Sequence, residues 1–351
     1  NTQKGKMPRI ARPVKILSSQ YMEIDAATRH NLDLLEGPHG STLISVLDRT
    51  VSGVGARLLA NRLANPLLNV DKINQRLDVV EFFLKHQDVR ENLRTVLKSC
   101  PDVERAVSRL GVGRGGPRDL LAIGVTLGSL PKLKTLIETF KPIDVVDELP
   151  AAVAEVLQRF GNHSMLVNML ADALWVDDRS NDLPLLARDG DFIKAGYSPE
   201  LDAVRDLKNK GHNYILNLQS KYVQQTGIEH LKIKYNNVIG YFIEIPNKEA
   251  SQVLNNPEFI HRQSVLNAAR FTTVELTELE NQIRGAAEKA LALEMAIFDN
   301  LVHSILLAAD DITRTANALA ELDVGAALAD LALENNYCRP EIDDSWTAPS
   351  S

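Results

Sequence analysis

The sequence predicts a mainly α protein: a helical core, two long antiparallel lever helices and a small antiparallel β clamp domain inserted between them. Three observations predict it. Leu201, Val204, Leu207, Tyr214, Ile215, Leu218 and Tyr222 form an apolar stripe at helical spacing. Past Gly227 the period changes to two, with Leu231, Ile233 and Tyr235 alternating with Lys232, Lys234 and Asn236. From Leu276 to Ile312 apolar residues again recur in steps of three and four, with no proline between Glu258 and Arg339. An aromatic share of 5% beside abundant Leu and Ala leans the same way.

Taken in order, residues 1–20 read as a linker remnant: Lys4, Lys6, Arg9, Arg12 and Lys15 occur with Pro8 and Pro13, which interrupt any helix. Tyr21 to Asp25 is expected as a short strand. Residues 21–197 read as the helical core domain. Ser41, Ser52 and Asp71 are candidate N-caps for helices over 42–48, 53–63 and 73–84. Pro66, Pro101, Pro117, Pro131, Pro142 and Pro150 punctuate this region.

Ser198-Pro199-Glu200 supplies a cap, a proline at the first helical position and an acid in the first turn, opening an outgoing lever helix over 198–226. Gly211 weakens this helix and Gly227 ends it. The β clamp domain occupies 227–271. Its first hairpin turns at Asn236-Asn237, since Asn tolerates positive φ, and runs on through the β-branched and aromatic segment 238–245. A loop from Pro246 to Pro257 leads to further extended structure over 259–271. Thr272-Thr273-Val274-Glu275 makes a capping box for a returning lever helix, which with the end of the core fills 272–340 and breaks near Asp310-Asp311. Residues 341–351 form a tail. A module carried on arms of about 40 Å suits a lever or a clamp better than a compact enzyme.

Composition narrows the function. At 351 residues, 44% hydrophobic and 24% charged, the chain is expected to form two or three folded units. No uninterrupted apolar run approaches the roughly 18 residues of a membrane span and no signal peptide is visible, so no membrane partner and an intracellular, cytoplasmic location are expected. Cys100 and Cys338 are too few for a disulfide framework. The sequence opens at Asn1 without methionine, closes on Trp346 to Ser351, and reads as a piece of a longer protein.

Motifs for chemistry are wanting. Gly111 to Pro117 is glycine-rich but follows no strand, and GxxxxGK[ST] occurs nowhere. The eight histidines show no zinc spacing, and the pairs Asp177-Asp178 and Asp310-Asp311 have no surrounding ligand set. No catalytic function, cofactor or metal is therefore expected. The segment from Gln219 to Phe271 carries six Lys or Arg against four Glu, a local +2 on a chain of net charge −7. It fits phosphate contact and the solvated face of an amphipathic strand equally well.

Several segments, in order along the chain, resemble the MutS family of bacterial DNA mismatch repair proteins. They include Tyr21-Met22-Glu23-Ile24-Asp25-Ala26-Ala27-Thr28-Arg29, Gly196-Tyr197-Ser198-Pro199-Glu200-Leu201-Asp202, Gly240-Tyr241-Phe242-Ile243-Glu244-Ile245 and Leu319-Ala320-Glu321-Leu322-Asp323-Val324. The resemblance runs from about Tyr21 to Pro340. It implies clamps that close around double-stranded DNA through backbone contacts, and levers that link them to an ATPase domain outside this chain. A full-length parent would bind ATP and Mg, form a homodimer and engage downstream repair proteins such as MutL, near the bacterial nucleoid.

By the resemblance, Asn236 and Asn267 match clamp positions near the DNA backbone, with Lys234, Asn237, Arg262, Gln263 and Arg270 as neighbouring candidates. Phe242-Ile243-Glu244 fits the Phe-x-Glu pattern by which the family wedges a mismatch, but it lies in a clamp strand, where Phe242 is read as packing. Two cations common in relatives are replaced here by His261 and Leu266. The other readings are a helical protein-interaction scaffold whose β tip docks a protein, and a MutS-like recombination protein.

Overall fold

The computed structural model describes residues 20–37, 40–140, 148–174, 183–236 and 238–343. The expected linker 1–20 is thereby represented only by Gln20, and Pro142, Asp177-Asp178 and most of the tail fall outside the described residues. The chain divides into two compact units, Asn1–Leu186 with Asn300–Ser351, and Ala187–Asp299.

The first unit is helical. It contains α1 (Ala26–Asn31), α2 (Leu43–Leu47), α3 (Gly53–Ala64), α4 (Val70–Lys85), α5 (Gln87–Ser99), α6 (Val103–Gly111), α7 (Pro117–Glu138), α8 (Ala151–Gln158) and α9 (Ser164–Ala173). Ser52 caps α3 as expected, its side chain accepting from the Gly55 amide. Two other caps move: Thr42 rather than Ser41 starts α2, and Asn69 rather than Asp71 starts α4. Both Ser41-Thr42 and Asn69-to-Asp71 offer competing acceptors within two residues, and local chemistry does not separate them. Tyr21 forms an isolated bridge to Leu67 instead of a strand.

Pro131 does not punctuate the chain, because it lies inside the 22-residue α7. The backbone bond it removes is offset by packing, for Leu127, Leu130, Leu133 and Ile137 on either side are all buried. By length and averaged hydropathy, α7 and the later helix Val274–Leu307 are, among the described residues, long and apolar enough to cross a membrane. In α7 much of that apolar surface meets α5, α6 and α9.

The last helix, α13 (Ala309–Asn335), is central to this unit and packs on α3, α4, α5, α6 and α8. Ala318, Leu322, Val324, Ala326, Ala327 and Ala329 are all fully buried, so α13 is enclosed on nearly every side over this stretch. Its frequent alanines leave little side-chain bulk between neighbouring helices. Asp323, also fully buried, accepts hydrogen bonds from the Val51 amide and from the Ser52 amide and hydroxyl. This one carboxylate fixes the N-terminus of α3 against α13.

The second unit holds α10 (Pro199–Thr226), β1 (Lys232–Asn236), β2 (Gly240–Pro246), α11 (Asn247–Ala250), β3 (Ile260–Ser264), β4 (Ala268–Thr272) and the larger part of α12 (Val274–Leu307). The outgoing lever begins at Pro199 behind a Ser198 cap and ends at Gly227 in the left-handed region, φ 69°. Ion pairs join Lys221 to Glu275, Arg205 to Glu294 and Glu200 to Lys289, so α10 and α12 run antiparallel. A Cβ on Gly211 would stand 2.6 Å from Ile283 Cγ1. The residue expected only to weaken α10 is what lets the two helices approach.

The four strands form one antiparallel sheet in the order β1-β2-β4-β3. Tyr222, Ile243, Ile245, Phe271 and Leu276 build its core with the helix ends. The Tyr222 hydroxyl bonds Thr273 Oγ1 at 2.6 Å, and burial pushes its pKa up to about 12. Thr273, rather than Thr272, caps α12 by accepting from the Leu276 amide. The helical run breaks at Ala308, close to the expected Asp310-Asp311.

Candidate nucleic-acid interface

Side chains alternate across a strand, so the register sorts the sheet into two faces. Ile233, Ile243 and Phe271 share the face turned to the core, because Ile243 pairs with Ile233 on one side and Phe271 on the other. Lys234, Phe242, Glu244, Gln263 and Arg270 belong to the opposite face. Polar residues collect there because the helices cover only one side of the sheet.

Glu244 organises this outer face. Lys234 Nζ donates to its Oε1 at 2.6 Å, and Arg270 Nε lies 3.8 Å from its Oε2. Arg270 also donates to Gln263 Oε1 at 3.2 Å, and its guanidinium sits 4.6 Å from the centre of the Phe242 ring. Phe242, although on the outer face, is therefore only 4% exposed and serves as packing. Two of the candidate cations share one carboxylate, which local charge counting could not reveal: Glu244 is ten residues from Lys234 and twenty-six from Arg270.

Arg262 differs. The β3–β4 register passes from His261↔Phe271 to Gln263↔Arg270, leaving Arg262 as the extra residue of a bulge. It is exposed and has no ion-pair partner among the described residues, as is also true of Lys232 and Lys248. These three carry the uncompensated positive charge of the sheet region. Lys232 and Lys248 were counted in the sequence but not singled out as contacts.

The candidate asparagines do not gather at one point. Asn236 pairs with Gly240 at one end of β2, whereas Asn267 adjoins Ala268, which pairs with Pro246 at the other end. At a rise of about 3.4 Å per residue the two lie about 20 Å apart. Asn236 Oδ1 accepts from the Val238 amide and shapes the first turn. Asn237 lies outside the described residues. Asn267 is exposed in a turn held by Asn247, whose side-chain amide donates to the carbonyls of Val265 and Leu266 at 3.3 and 3.1 Å. Nothing in the local sequence marks Asn247 for this role, since its partners come eighteen and nineteen residues later. The turns also expose Val238 at 90% and Leu266 at 93%.

Residues 27–329 match the family model described as MutS domain III. The chain belongs to the MutS domain III family. It is 44% identical over 350 residues to the DNA mismatch repair protein MutS of Dinoroseobacter shibae, and equally so to that of Ruegeria pomeroyi. Each alignment covers 98% of this chain and 38% of the relative. The MutS of Bartonella henselae is 43% identical over 353 residues, covering 99% of the chain and 37% of the relative. The chain thus spans less than two-fifths of the length of these MutS proteins. The mainly α fold with a small inserted antiparallel sheet is that of this MutS domain III chain.

Proposed function

We propose that this chain embraces duplex DNA without sequence selection through the outer face and turns of its sheet, within a mismatch repair protein. The carrying observation is the unpaired cation set of Lys232 and Arg262 on the sheet, with Lys248 on the short α11 that follows β2, in a module joined to α10 and α12. Exposed amides at Asn236 and Asn267, about 20 Å apart, suit contacts spread over about six phosphates of one strand. Such contacts position a protein on DNA and leave base sequence unread.

The helices supply the second half of the proposal. α10 and α12, paired and 28 and 34 residues long, would transmit the state of the sheet to an ATPase region elsewhere in the parent protein. ATP and Mg binding, homodimer formation, engagement of proteins such as MutL and a location with the bacterial nucleoid belong to this reading of the parent. The purified chain is expected to hydrolyse no ATP, and turnover that co-purifies with it through successive columns would overturn that part.

The DNA reading is tested by fluorescence anisotropy on a short duplex at low salt. Lys232→Glu with Arg262→Glu is expected to weaken binding at least about tenfold and to lower the salt slope by about two. Glu244→Gln, which releases Lys234 and Arg270 from their shared carboxylate, is expected to tighten binding about threefold. Unchanged affinity in both variants would remove the assignment. The exposed Val238 and Leu266 favour a second reading, docking of an apolar protein surface, whose binding would change little with salt.

A further inference from the structure

The first unit contains a cavity of about 650 Å³, lined in part by Tyr21, Arg62, Lys72, Arg76, Arg159 and Glu321. This volume is that of a small-molecule site. Its walls bring four cations together from three parts of the chain: Arg62 from α3, Lys72 and Arg76 from α4, and Arg159 at the end of α8. Two carboxylates, Glu155 and Glu321, face them. Glu321 is already engaged, for Arg159 grips it with both terminal nitrogens at 2.8 and 2.5 Å.

Arg62 and Arg76 are left over. Neither guanidinium has a hydrogen-bond or ion-pair partner among the described residues, and Arg62 Nε is shut away from solvent with nothing to donate to. Buried donors without acceptors are costly and uncommon in native proteins. Burial is the main cause that pulls the Arg62 pKa down to about 10, with the positive charges of Arg76 and Arg159 adding to it and the charge of Glu321 opposing it. Burial lowers the Arg76 pKa as well, against the attraction of Glu321 and Tyr21, so Glu321 reaches both arginines by charge without bonding either. Two guanidinium groups lining one cavity, each a planar fork of donors with no hydrogen-bonded acceptor, suit the oxygens of a phosphate in chemistry and in charge.

We propose that this cavity is a binding site for a small phosphate-bearing anion, with Arg62 and Arg76 as its principal donors and Lys72 as a supporting charge. A free phosphate and the phosphate of a nucleotide share the same contact chemistry at this site. The site lies wholly in the first unit and does not depend on the DNA reading of the sheet.

The test is thermal unfolding of the full chain titrated with inorganic phosphate, pyrophosphate or ADP, against sodium chloride at matched ionic strength. Saturable stabilisation by phosphate or pyrophosphate is expected, weakened at least about tenfold in Arg62→Gln with Arg76→Gln, because both charge-assisted bonds are removed. ADP stabilising more than pyrophosphate identifies a nucleotide as the source, and equal or weaker stabilisation identifies the free anion. Equal stabilisation of wild type and variant, an effect reproduced by chloride, or protection by duplex DNA alone would overturn the proposal. Should the double variant not fold, the Arg62 Nε–H resonance, assigned by its loss in Arg62→Lys, provides the same answer in the wild type. It shifts saturably with phosphate if the site exists, and stays in place if it does not.

Discussion

Replacing Asp323 by alanine is expected to lower the unfolding free energy by about 3 kcal/mol, since three donors that bond its carboxylate lose their acceptor inside the protein. Those donors are the Val51 amide, the Ser52 amide and the Ser52 hydroxyl, at 3.1, 2.9 and 2.5 Å. Ser52 is itself the cap of α3, so the loss spreads to that helix. Urea unfolding followed by circular dichroism measures the effect, and a change below about 1 kcal/mol would show that water replaces the carboxylate without penalty.

Asp323 also sets a direction for pH. Burial, the largest cause, raises its pKa above the ordinary 3.8, while the bonds from Ser52 and Val51 and the charge of Arg94 oppose the rise. The folded chain therefore holds a proton on this group at pH values where the unfolded chain has released it. Stability from Asp323 is greatest below the unfolded pKa and is lost as pH rises through the folded one. The difference in stability between wild type and Asp323→Asn is expected to shrink as pH rises from about 3.5 to 7. A difference that widens over this interval would mean that the carboxylate is stabilised in its charged form.

Phe271→Ala is expected to cost about 4 kcal/mol, the range found when a fully enclosed aromatic ring is removed. Phe271 is 0% exposed, pairs with Ile243 in the register and lies 5.5 Å from the His261 ring. Strands of five to seven residues have few other contacts to share the loss. Hydrogen exchange is expected to show lost protection over 232–272 with protection over 309–335 retained. Uniform loss across both segments would mean that the two units unfold as one, and retained protection at the strands would mean that the sheet repacks. Duplex binding by this variant is expected to fall with the sheet, unlike the selective change expected from Lys232→Glu with Arg262→Glu.

Much of the fold was legible because its signals are local. Ser198, Pro199 and Gly227 bound α10 at the residues expected, since a hydroxyl acceptor, a fixed φ and a residue free to adopt positive φ act within one turn. The two-residue alternation at 231–235 and the proline-free apolar run after Leu276 similarly identified the first hairpin and α12. Pro131 was misread because its local cost is outweighed by the burial of α7 around it. α11 was missed inside the expected loop from Pro246 to Pro257, for a four-residue helix carries too little periodicity to be seen.

The candidate interface divides along the same line. Residue type and order along the chain determined which side chains offer charge and amides, and which family they resemble. Only the tertiary structure decided which charges remain available: Glu244 takes Lys234 and Arg270, the bulge leaves Arg262 unpaired, and Asn236 and Asn267 go to opposite ends of the sheet. The sequence by itself determined the elements, through caps, periods and turns that act over a few residues. Ion pairing, burial and the placement of Arg62 and Arg76 on one cavity depend on distances across separate elements, and those distances exist only once the chain has folded.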